Sequence, residues 1–459
     1  MGASGGECLR MTPESEQPVT NDRVLVLGMG ATGASCARYL ARRGVSAIFA
    51  DTRTLPTGIV DIRRAMPDAE VHTGCMPTEI PEAVSRLVVS PGLPVETPLI
   101  QLARQQGVEV LSDIDLFIAE CTQPLLAVTG SNGKSTVASM VAAILDAAGR
   151  RVGAGGNLGP PALDLLELNA DVYVLELSSF QLERSRELPA AAAVILNIAP
   201  DHLDRHVTEE RYTAAKARIY RACQTAVVNR DAPTAMALAP AATARLSFGM
   251  DAPNAGQWGI RMVDTREFIA RGADSVVAVD RLPLTGRHNL ANALAACAMA
   301  DALEVPTAAM QQGLLAFHGL PHRMQTVPTA DGICWIDDSK ATNEAAAIAS
   351  IGSVTGPLVL IAGGDAKGAA FSQLATALAE RECTVVLLGR DADHLANALR
   401  GACEFQRVDS LAEAVRTAAS LAAPGSTVLL APACGSQDMF ADYADRGRQF
   451  TAAVRESAR

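Results

Sequence analysis

Lys134 and Ser135 close the run Val128-Thr129-Gly130-Ser131-Asn132-Gly133-Lys134-Ser135-Thr136, whose glycines and cation suit a phosphate cradle. Glycines there let backbone N–H groups turn toward an anion, and a helix N-terminus adds partial positive charge. Lys134 would neutralise the β- and γ-phosphates of a nucleotide, and the Ser135 hydroxyl would ligate Mg²⁺. The spacing departs from the common G-x-x-x-x-G-K-[ST] rule: Val128 stands at the first glycine position, and the inner glycine is Gly130. The bland alternative is an ordinary strand–turn–helix with a solvated lysine. The flanks argue against it, because an apolar run, Leu125–Val128, leads in and an alanine-rich helical run, Val137–Ala148, follows.

Further chemistry-bearing residues come at strand ends. Glu176 interrupts the apolar run Val172–Leu177, and a buried carboxylate needs a partner, usually a metal ion beside a phosphate loop. Gly155–Gly159 reads as a polar turn, and Ser178–Gln181 follows the Glu176 strand. The strand Ala191–Leu196 ends in Asn197, and Asp201-His202-Leu203-Asp204-Arg205-His206 lies just beyond it. His202 would ligate a second metal or merely cap a helix. Lys216, on a helix read over Tyr212–Arg221, is on chemistry alone a solvated charge. Residues 230–285 look less regular. Gly286–Asn292 opens an alanine-rich helix with polar groups that either edge a nucleobase or cap the helix.

The N-terminal part carries a second glycine signal. Arg23–Leu27 reads as a buried parallel strand, followed by Gly28-Met29-Gly30-Ala31-Thr32-Gly33 and a helix. The next strand, Ser46–Ala50, ends at Asp51, with Thr52 and Arg53 after it. That context suggests NAD with Asp51 on a ribose, but the fingerprint reports only a diphosphate and a ribose, which any nucleotide sugar diphosphate shares. Gly92, after Leu87–Ser90, would bring backbone close to the same ligand; alternatively these glycines only close tight turns. At the other end, Trp335–Asn343, Gly363–Gly368 and Pro432–Asp438 each follow a buried strand and carry polar residues. One crevice lined by all three, with Lys340 and Lys367, suits a ligand bearing carboxylates. Alternating strand and helix units predict mostly parallel sheets.

Composition sets the frame for these sites. A chain of 459 residues exceeds one core and suggests roughly three domains. Aromatics are only 4%, so alanine, valine and leucine must build the core. The net charge of −11 (39 basic against 50 acidic residues) argues against general affinity for nucleic acid or anionic membrane. The ten cysteines show no C-x-x-C pair, which suits reduced thiols in a cytoplasmic protein. No apolar run approaches the ~20 residues of a membrane span. Residues 1–21 look like a disordered extension.

Over residues 22–457 the chain resembles the Mur ligase family. Thr129–Thr136, Leu175-Glu-Leu-Ser-Ser-Phe-Gln-Leu182, Asp201-His-Leu-Asp204 and Gly286-Arg-His-Asn289 carry the likeness in order. Asp338-Ser-Lys-Ala-Thr-Asn343, Gly364-Asp-Ala-Lys367, Pro432–Ser436 and Asp51-Thr52-Arg53 resemble the branch that adds D-glutamate to UDP-N-acetylmuramoyl-L-alanine. The resemblance implies an α/β protein of three domains: a Rossmann-like UDP-substrate domain over 22–112, a central P-loop ATPase-type parallel sheet over 113–318, and a C-terminal dinucleotide-fold domain over 319–459.

It implies that Thr32, Asp51, Thr52, Arg53, Gly92 and Asn157 hold the UDP-sugar. Gly130, Asn132, Gly133, Lys134, Ser135 and Thr136 would hold ATP phosphates, with Asn289, Asn292, Arg323 and Asp338 on the rest of ATP. Thr342, Lys367, Ser436 and backbone near Tyr443 would grip D-glutamate. Two Mg²⁺ would be held by Ser135, Glu176, His202 and Lys216, the last as a carbamate. Lys134, His202, Lys216 and Lys340 would carry the chemistry. The implied reaction makes an acyl phosphate and then an amide, in a monomeric cytoplasmic enzyme with no nucleic-acid or membrane partner. Competing readings are an NAD(P)-dependent oxidoreductase and a non-catalytic nucleotide binder.

Overall fold

A computed structural model describes residues 23–157, 159–284, 286–330 and 332–457. The expected disordered extension, 1–21, lies outside the described residues. The chain divides into two compact units, one through Val110 and one from Leu111.

The first unit is a five-stranded sheet in the order Glu70–Thr73, Ala47–Asp51, Arg23–Leu27, Val84–Val89, Glu109–Leu111. Central strand Arg23–Leu27 pairs in parallel with both neighbours, and crossover helices such as Ala31–Arg42 and Pro98–Gln105 connect the strands. Its core is aliphatic: Leu25, Leu27, Ile48, Leu87, Val89 and Ile100 are all buried. Helix Ala31–Arg42 starts immediately after the glycine turn, as a doubly wound dinucleotide-type sheet requires. Gly33 is there for space: a Cβ on it would lie 2.2 Å from the Gly28 carbonyl oxygen.

The second unit holds two sheets. The nine-stranded sheet runs Asp274–Ala278, Arg266–Arg271, Trp258–Val263, Ala244–Phe248, Thr225–Asn229, Ala192–Ile195, Leu125–Thr129, Val172–Glu176, Val152–Gly156. The six strands from Ala244–Phe248 to Val152–Gly156 pair in parallel, so Leu125–Thr129, between two neighbours, is buried throughout. Helix Lys134–Ala147 buries Val137, Val141 and Ile144 against this core. Helix Arg287–Asp301 is buried continuously from Ala293 to Ala300, which explains its alanine content: small side chains let sheet and helices approach it from all sides. Gly313 serves the same closeness, since a Cβ there would lie 2.5 Å from Ile144 Cα.

The six-stranded sheet runs Gln325–Val327, Cys334–Asp337, Thr427–Leu430, Leu358–Gly363, Cys383–Leu388, Glu404–Arg407. Only Gln325–Val327 pairs antiparallel; the other pairings are parallel. Two aliphatic clusters cover its faces, one on Leu360 and Phe371, the other on Ile361, Trp335 and Phe450.

Three expectations need correction here. Residues 230–285 are not irregular: they form Pro233–Ala237 and four strands that extend the central sheet. Three of those strands form antiparallel pairs, and polar residues such as Arg261 and Glu267 with exposed ends at Val263 and Arg266 interrupt them, so no long apolar run marks them. Gly155 and Gly156 are not a turn but the end of strand Val152–Gly156. They are glycines because a Cβ would meet the Pro160 carbonyl at 2.4 Å and the Glu176 carbonyl at 2.5 Å. Lys216 is not solvated: it is 1% exposed. Among the described residues, no helix is long and apolar enough to cross a membrane.

Candidate active site

The loop after strand Leu125–Thr129 needs its glycines for conformation and for space. Gly133 has φ 84 and opens helix Lys134–Ala147; a Cβ there would lie 2.5 Å from Asn292 Oδ1. Gly130 has φ 156, and its Cβ would lie 3.0 Å from Leu196 Cβ. Neighbouring strand ends clamp the loop. Asn132 N–H donates to Asn197 Oδ1 at 2.9 Å, and Asn197 Nδ2 donates to Asn132 O at 3.1 Å. Ser131 Oγ donates to Ala199 O, accepts from Ala199 N–H and lies 2.9 Å from Tyr212 Oη. Lys134 curls over the loop and donates to Gly130 O at 2.9 Å and Ser131 O at 2.8 Å. Burial lowers its pKa, against the pull of Glu176 and Asp201. An anion entering the loop meets a cation already desolvated beside it.

Glu176 ends the adjacent strand and is 1% exposed. Its Oε1 accepts from Asn157 Nδ2 at 2.7 Å, while Oε2 is buried with no hydrogen-bond partner. Lys216 lies on helix Glu209–Ala217, one turn beyond Tyr212. Its Nζ donates to Gly130 O at 2.8 Å and Thr129 Oγ1 at 3.4 Å, and sits 4.7 Å from the Tyr212 ring centroid. Among the described residues no carboxylate bonds it, and burial first and Lys134 second push its pKa well below the usual lysine range. Burial thus disfavours the charged form of this amine.

His202 starts helix Leu203–His206 with φ 54, but its side chain makes no capping bond. The ring packs edge-on to Phe180 at 5.0 Å, and its Nε2 lies 3.9 Å from Asp201 Oδ2. Burial lowers its pKa to about 4, so the imidazole is neutral and keeps a lone pair for a ligand. Burial works against the Asp201 carboxylate, but His202, Lys367, Lys134 and an Asn343 hydrogen bond hold it below the usual range.

Lys134, Ser135, Glu176, His202, Lys216, Arg323, Lys340 and Thr342 line one cavity together. Among the described residues, no three His, Cys, Asp or Glu side chains cluster as a complete metal cage. The donor set still fits Mg²⁺, which usually takes one or two carboxylates and completes its shell with phosphate oxygens and water. The orphaned Glu176 oxygen, beside a serine hydroxyl and a neutral histidine, is such a partial shell.

A second cavity, of about 190 Å³, shares Asn132, Gly133, Arg323 and Lys340 with the first. Asn289 and Asn292 of helix Arg287–Asp301 line it, with Asp338, Thr136 and the apolar Leu196, Phe248, Leu284 and Met324. His288, within the polar start Gly286–Asn292, also lines it, as does Asn229, which carried no signal in the sequence. Asp338 accepts from Ser350 Oγ, and from Met324 N–H at 3.3 Å; burial lifts its carboxyl to about 6. The polar start of the alanine-rich helix thus edges a flat, half-apolar slot.

The loops after strands Cys334–Asp337, Leu358–Gly363 and Thr427–Leu430 come together as expected. Asp365 and Gly435 exchange backbone hydrogen bonds at 3.0 and 2.7 Å. Lys340 Nζ sits 3.9 Å over the Tyr443 ring; burial, then Arg323 and Lys134, lower it to about 8. Lys367 has φ 50 and its Nζ lies 3.7 Å from Asp201 Oδ1. Ser436 is buried next to Gly435. Arg446, which sequence reasoning missed, is 2% exposed and donates to Ser339 Oγ, Ser339 O, Cys434 O and Gly435 O. It pins the Cys434–Ser436 loop to the Lys340 loop. As a lone arginine on a helix it had no recognisable spacing.

In the first unit, Asp51 is held in place by Met29 and Arg53. It accepts from Met29 N–H at 2.7 Å and from Arg53 Nε and Nη2 at 2.9 and 2.7 Å, and the Arg53 bond first of all lowers its pKa to about 2. Thr32 lies in the first turn of helix Ala31–Arg42, and Gly92 has open space where a Cβ would sit. Thr52 is exposed beside Asp51. Asn157, in the second unit, bonds Glu176.

Three family models match in order along this chain. The Mur ligase MurD-like N-terminal domain matches residues 22–112, the Mur ligase middle domain residues 128–300, and the Mur ligase glutamate ligase domain residues 322–434. The chain is 45% identical over 449 residues to the UDP-N-acetylmuramoylalanine--D-glutamate ligase of Nitrosococcus oceani, covering 97% of this chain and 99% of that protein. It is 45% identical over 439 residues to the enzyme so named in Pseudomonas aeruginosa, covering 95% and 98%. Two crystal structures share the fold. MurF from Acinetobacter baumannii superposes with TM-score 0.62 at 20% identity, covering 94% of this chain and 93% of that one. UDP-N-acetylmuramate-alanine ligase MurC from Thermotoga maritima superposes with TM-score 0.60 at 18% identity, covering 95% and 99%.

Proposed function

This chain belongs to the Mur ligase family, and on that premise we propose that it is the ATP-dependent ligase joining D-glutamate to UDP-N-acetylmuramoyl-L-alanine. The names of relatives 45% identical over nearly the full chain support the choice of substrates. The observation that carries the chemistry is the convergence of Lys134, Glu176, His202 and Lys216 on one cavity, with Glu176 Oε2 and the Lys216 amine both left without an ionic partner.

A carboxylate is a poor acyl donor, because its leaving group would be oxide. The alanyl carboxylate oxygen therefore attacks the γ-phosphorus of ATP, the bond to the ADP oxygen breaks, and an acyl phosphate forms. The D-glutamate amine then adds to the acyl carbon, phosphate leaves, and the amine proton is lost to give the amide. Lys134 holds the β- and γ-phosphates, with backbone N–H groups from Gly130 to Thr136 around them. Arg323, Asn289, Asn292 and Asp338 place the remainder of ATP. Lys340 sits between the two cavities and adds charge near the transferring group.

Mg²⁺ would be held by Ser135, Glu176, His202 and Lys216, and would supply neutralisation of the two repelling anions. In this reading two ions would be held there, and Lys216 would be carbamylated: its amine adds CO₂ and loses a proton, giving an anion that would bind metal. Thr342, Lys367 and Ser436, with backbone near Tyr443, hold D-glutamate, and Thr32, Asp51, Thr52, Arg53, Gly92 and Asn157 hold the UDP-sugar. The enzyme works as a cytoplasmic monomer with domains over 22–112, 113–318 and 319–459. The test is phosphate release with ATP, Mg²⁺ and UDP-N-acetylmuramoyl-L-alanine while the amino acid is varied. Release with D-glutamate, and the amide mass in the product, is expected; folded protein that binds ATP but releases phosphate with no amino acid would overturn the proposal.

A further inference from the structure

Asp201 makes contacts that the chemistry above has not used. It lies in the loop beyond strand Ala192–Ile195, in the same cavity as Lys134, Glu176 and Thr342. Its side chain is 9% exposed. Two of its partners come from the part of the unit built on the six-stranded sheet. Asn343 Nδ2 donates to Oδ2 at 3.1 Å, and Lys367 Nζ lies 3.7 Å from Oδ1. The backbone N–H of His202 also donates to Oδ1, at 2.9 Å.

The two contacts differ in kind. Asn343 is tied down: its Oδ1 accepts from Ala346 N–H at 2.9 Å, capping helix Glu344–Ile351, and its Nδ2 lies 3.2 Å from Asn132 Oδ1. Lys367 is loose. At 3.7 Å its ammonium is beyond hydrogen-bond reach of the carboxylate, so the pair has the Coulomb attraction without the directional bond. Its backbone, by contrast, is preset at φ 50 by its N–H bond to Asp365 Oδ1 at 3.0 Å. A fixed carboxylate and a fixed lysine root thus face each other across a gap that neither closes.

An acidic amino acid carries the complementary charges, an ammonium and a second carboxylate. We infer that Asp201 docks the α-ammonium of the acceptor amino acid by ion-pair exchange: the acceptor's side-chain carboxylate takes Lys367, and its ammonium takes Asp201. One loose pair is replaced by two charge-assisted hydrogen-bonded pairs, and the acceptor's α-carboxylate adds one net negative charge. A diacid lacking the amine leaves Asp201 without a cation, and an amino acid lacking the second carboxylate leaves Lys367 without an anion. Both mismatches leave a desolvated charge unpaired, which is how the pair selects an acceptor with both groups.

The inference rests on the ligase reading and deepens it. The experiment compares wild type with Asp201→Asn, using D-glutamate and glutarate, the same diacid without the amine. Acyl phosphate formation is measured separately, by trapping with hydroxylamine in the absence of any amino acid. In Asp201→Asn, hydroxamate formation stays within about threefold of wild type while KM for D-glutamate rises at least ~30-fold, the scale expected for one lost partner of a desolvated charge pair. Glutarate inhibits both proteins equally. An unchanged preference for D-glutamate over glutarate in Asp201→Asn overturns the inference, and so does loss of hydroxamate formation, which would assign Asp201 to phosphoryl transfer. Should Asp201→Asn fail to fold, wild type alone decides: binding glutarate as tightly as D-glutamate overturns it. Wild type that makes hydroxamate but no amide from D-glutamate sinks the ligase reading instead.

Discussion

Lys216→Met is expected to lower activity while raising stability. The side chain is 1% exposed and its amine faces a backbone carbonyl and a hydroxyl rather than a carboxylate. Protonating it places a second cation near Lys134, and burial and that neighbour hold its pKa well below the usual range. The folded state therefore binds this proton less tightly than the unfolded chain does. The cost is present in full below the folded pKa and shrinks as pH rises toward the ordinary lysine value near ~10.4. Each unit of depression costs about 1.4 kcal/mol, whereas methionine loses one net hydrogen bond of about 1 kcal/mol and keeps the volume.

With the pKa well below normal, Lys216→Met in CO₂-free buffer at pH 6 gains at least ~1 kcal/mol, or ~2–4 °C in Tm for a domain of this size. The gain shrinks as the buffer is raised toward pH 10. Activity moves the other way, falling about 10²–10³-fold or more, as when one preorganised electrostatic group is removed from a phosphoryl-transfer site. Thermal melts across pH and phosphate-release assays with added bicarbonate read both effects. Turnover within tenfold of wild type refutes the role in catalysis. A Tm that falls most at low pH refutes the argument that the buried amine is an uncompensated base.

Other outcomes follow from the same geometry. Lys134→Ala removes the lysine that bonds the Gly130 and Ser131 carbonyls of the phosphate loop, and is expected to lower kcat by at least ~10³-fold; an unchanged yield of trapped acyl phosphate would argue against that assignment. Asp338, lifted to about 6 by burial, loses its charge as pH falls through that value. KM for ATP is therefore expected to rise between pH 7 and 5 in wild type and to stay flat in Asp338→Asn, as kinetics at fixed ionic strength would show. Gly33→Ala forces a Cβ to within 2.2 Å of the Gly28 carbonyl, a backbone atom that cannot swing aside. It should destabilise the first unit by roughly 3 kcal/mol and lower affinity for the UDP-substrate, read by denaturant melts and by KM.

Some of this architecture could be read without coordinates because the physics behind it is local. Leu125–Val128 followed by Gly130, Gly133 and Lys134 needs only a buried strand, two residues free of Cβ and a helix start, all within a dozen positions. The same holds for Gly28–Gly33 and for the strands at Leu358–Gly363 and Thr427–Leu430. The strands between Ala244 and Ala278 escaped because polar residues such as Arg245, Arg261 and Glu267 interrupt them, so they carry no continuous apolar run. Gly155 and Gly156 read as a turn because composition cannot distinguish a flexible glycine from one excluded from having a Cβ by the Pro160 and Glu176 carbonyls.

What the sequence determined by itself was therefore the set of strand–loop–helix units, and with them which residues stand at strand ends where ligands bind. The state of those residues was decided by tertiary structure. Lys216 looks like any helical lysine until Tyr212, Thr129 and the Gly130 carbonyl close over it and strip its water. Asp51 looks like any strand-end acid until Arg53 and the Met29 amide fix its orientation and charge. Arg446 acquires meaning only where two loops, far apart in sequence, present carbonyls to one guanidinium. Burial and charge pairing are sums over neighbours from the whole chain, so residue type and spacing place a side chain at the site, and the folded surroundings set its protonation and its partner.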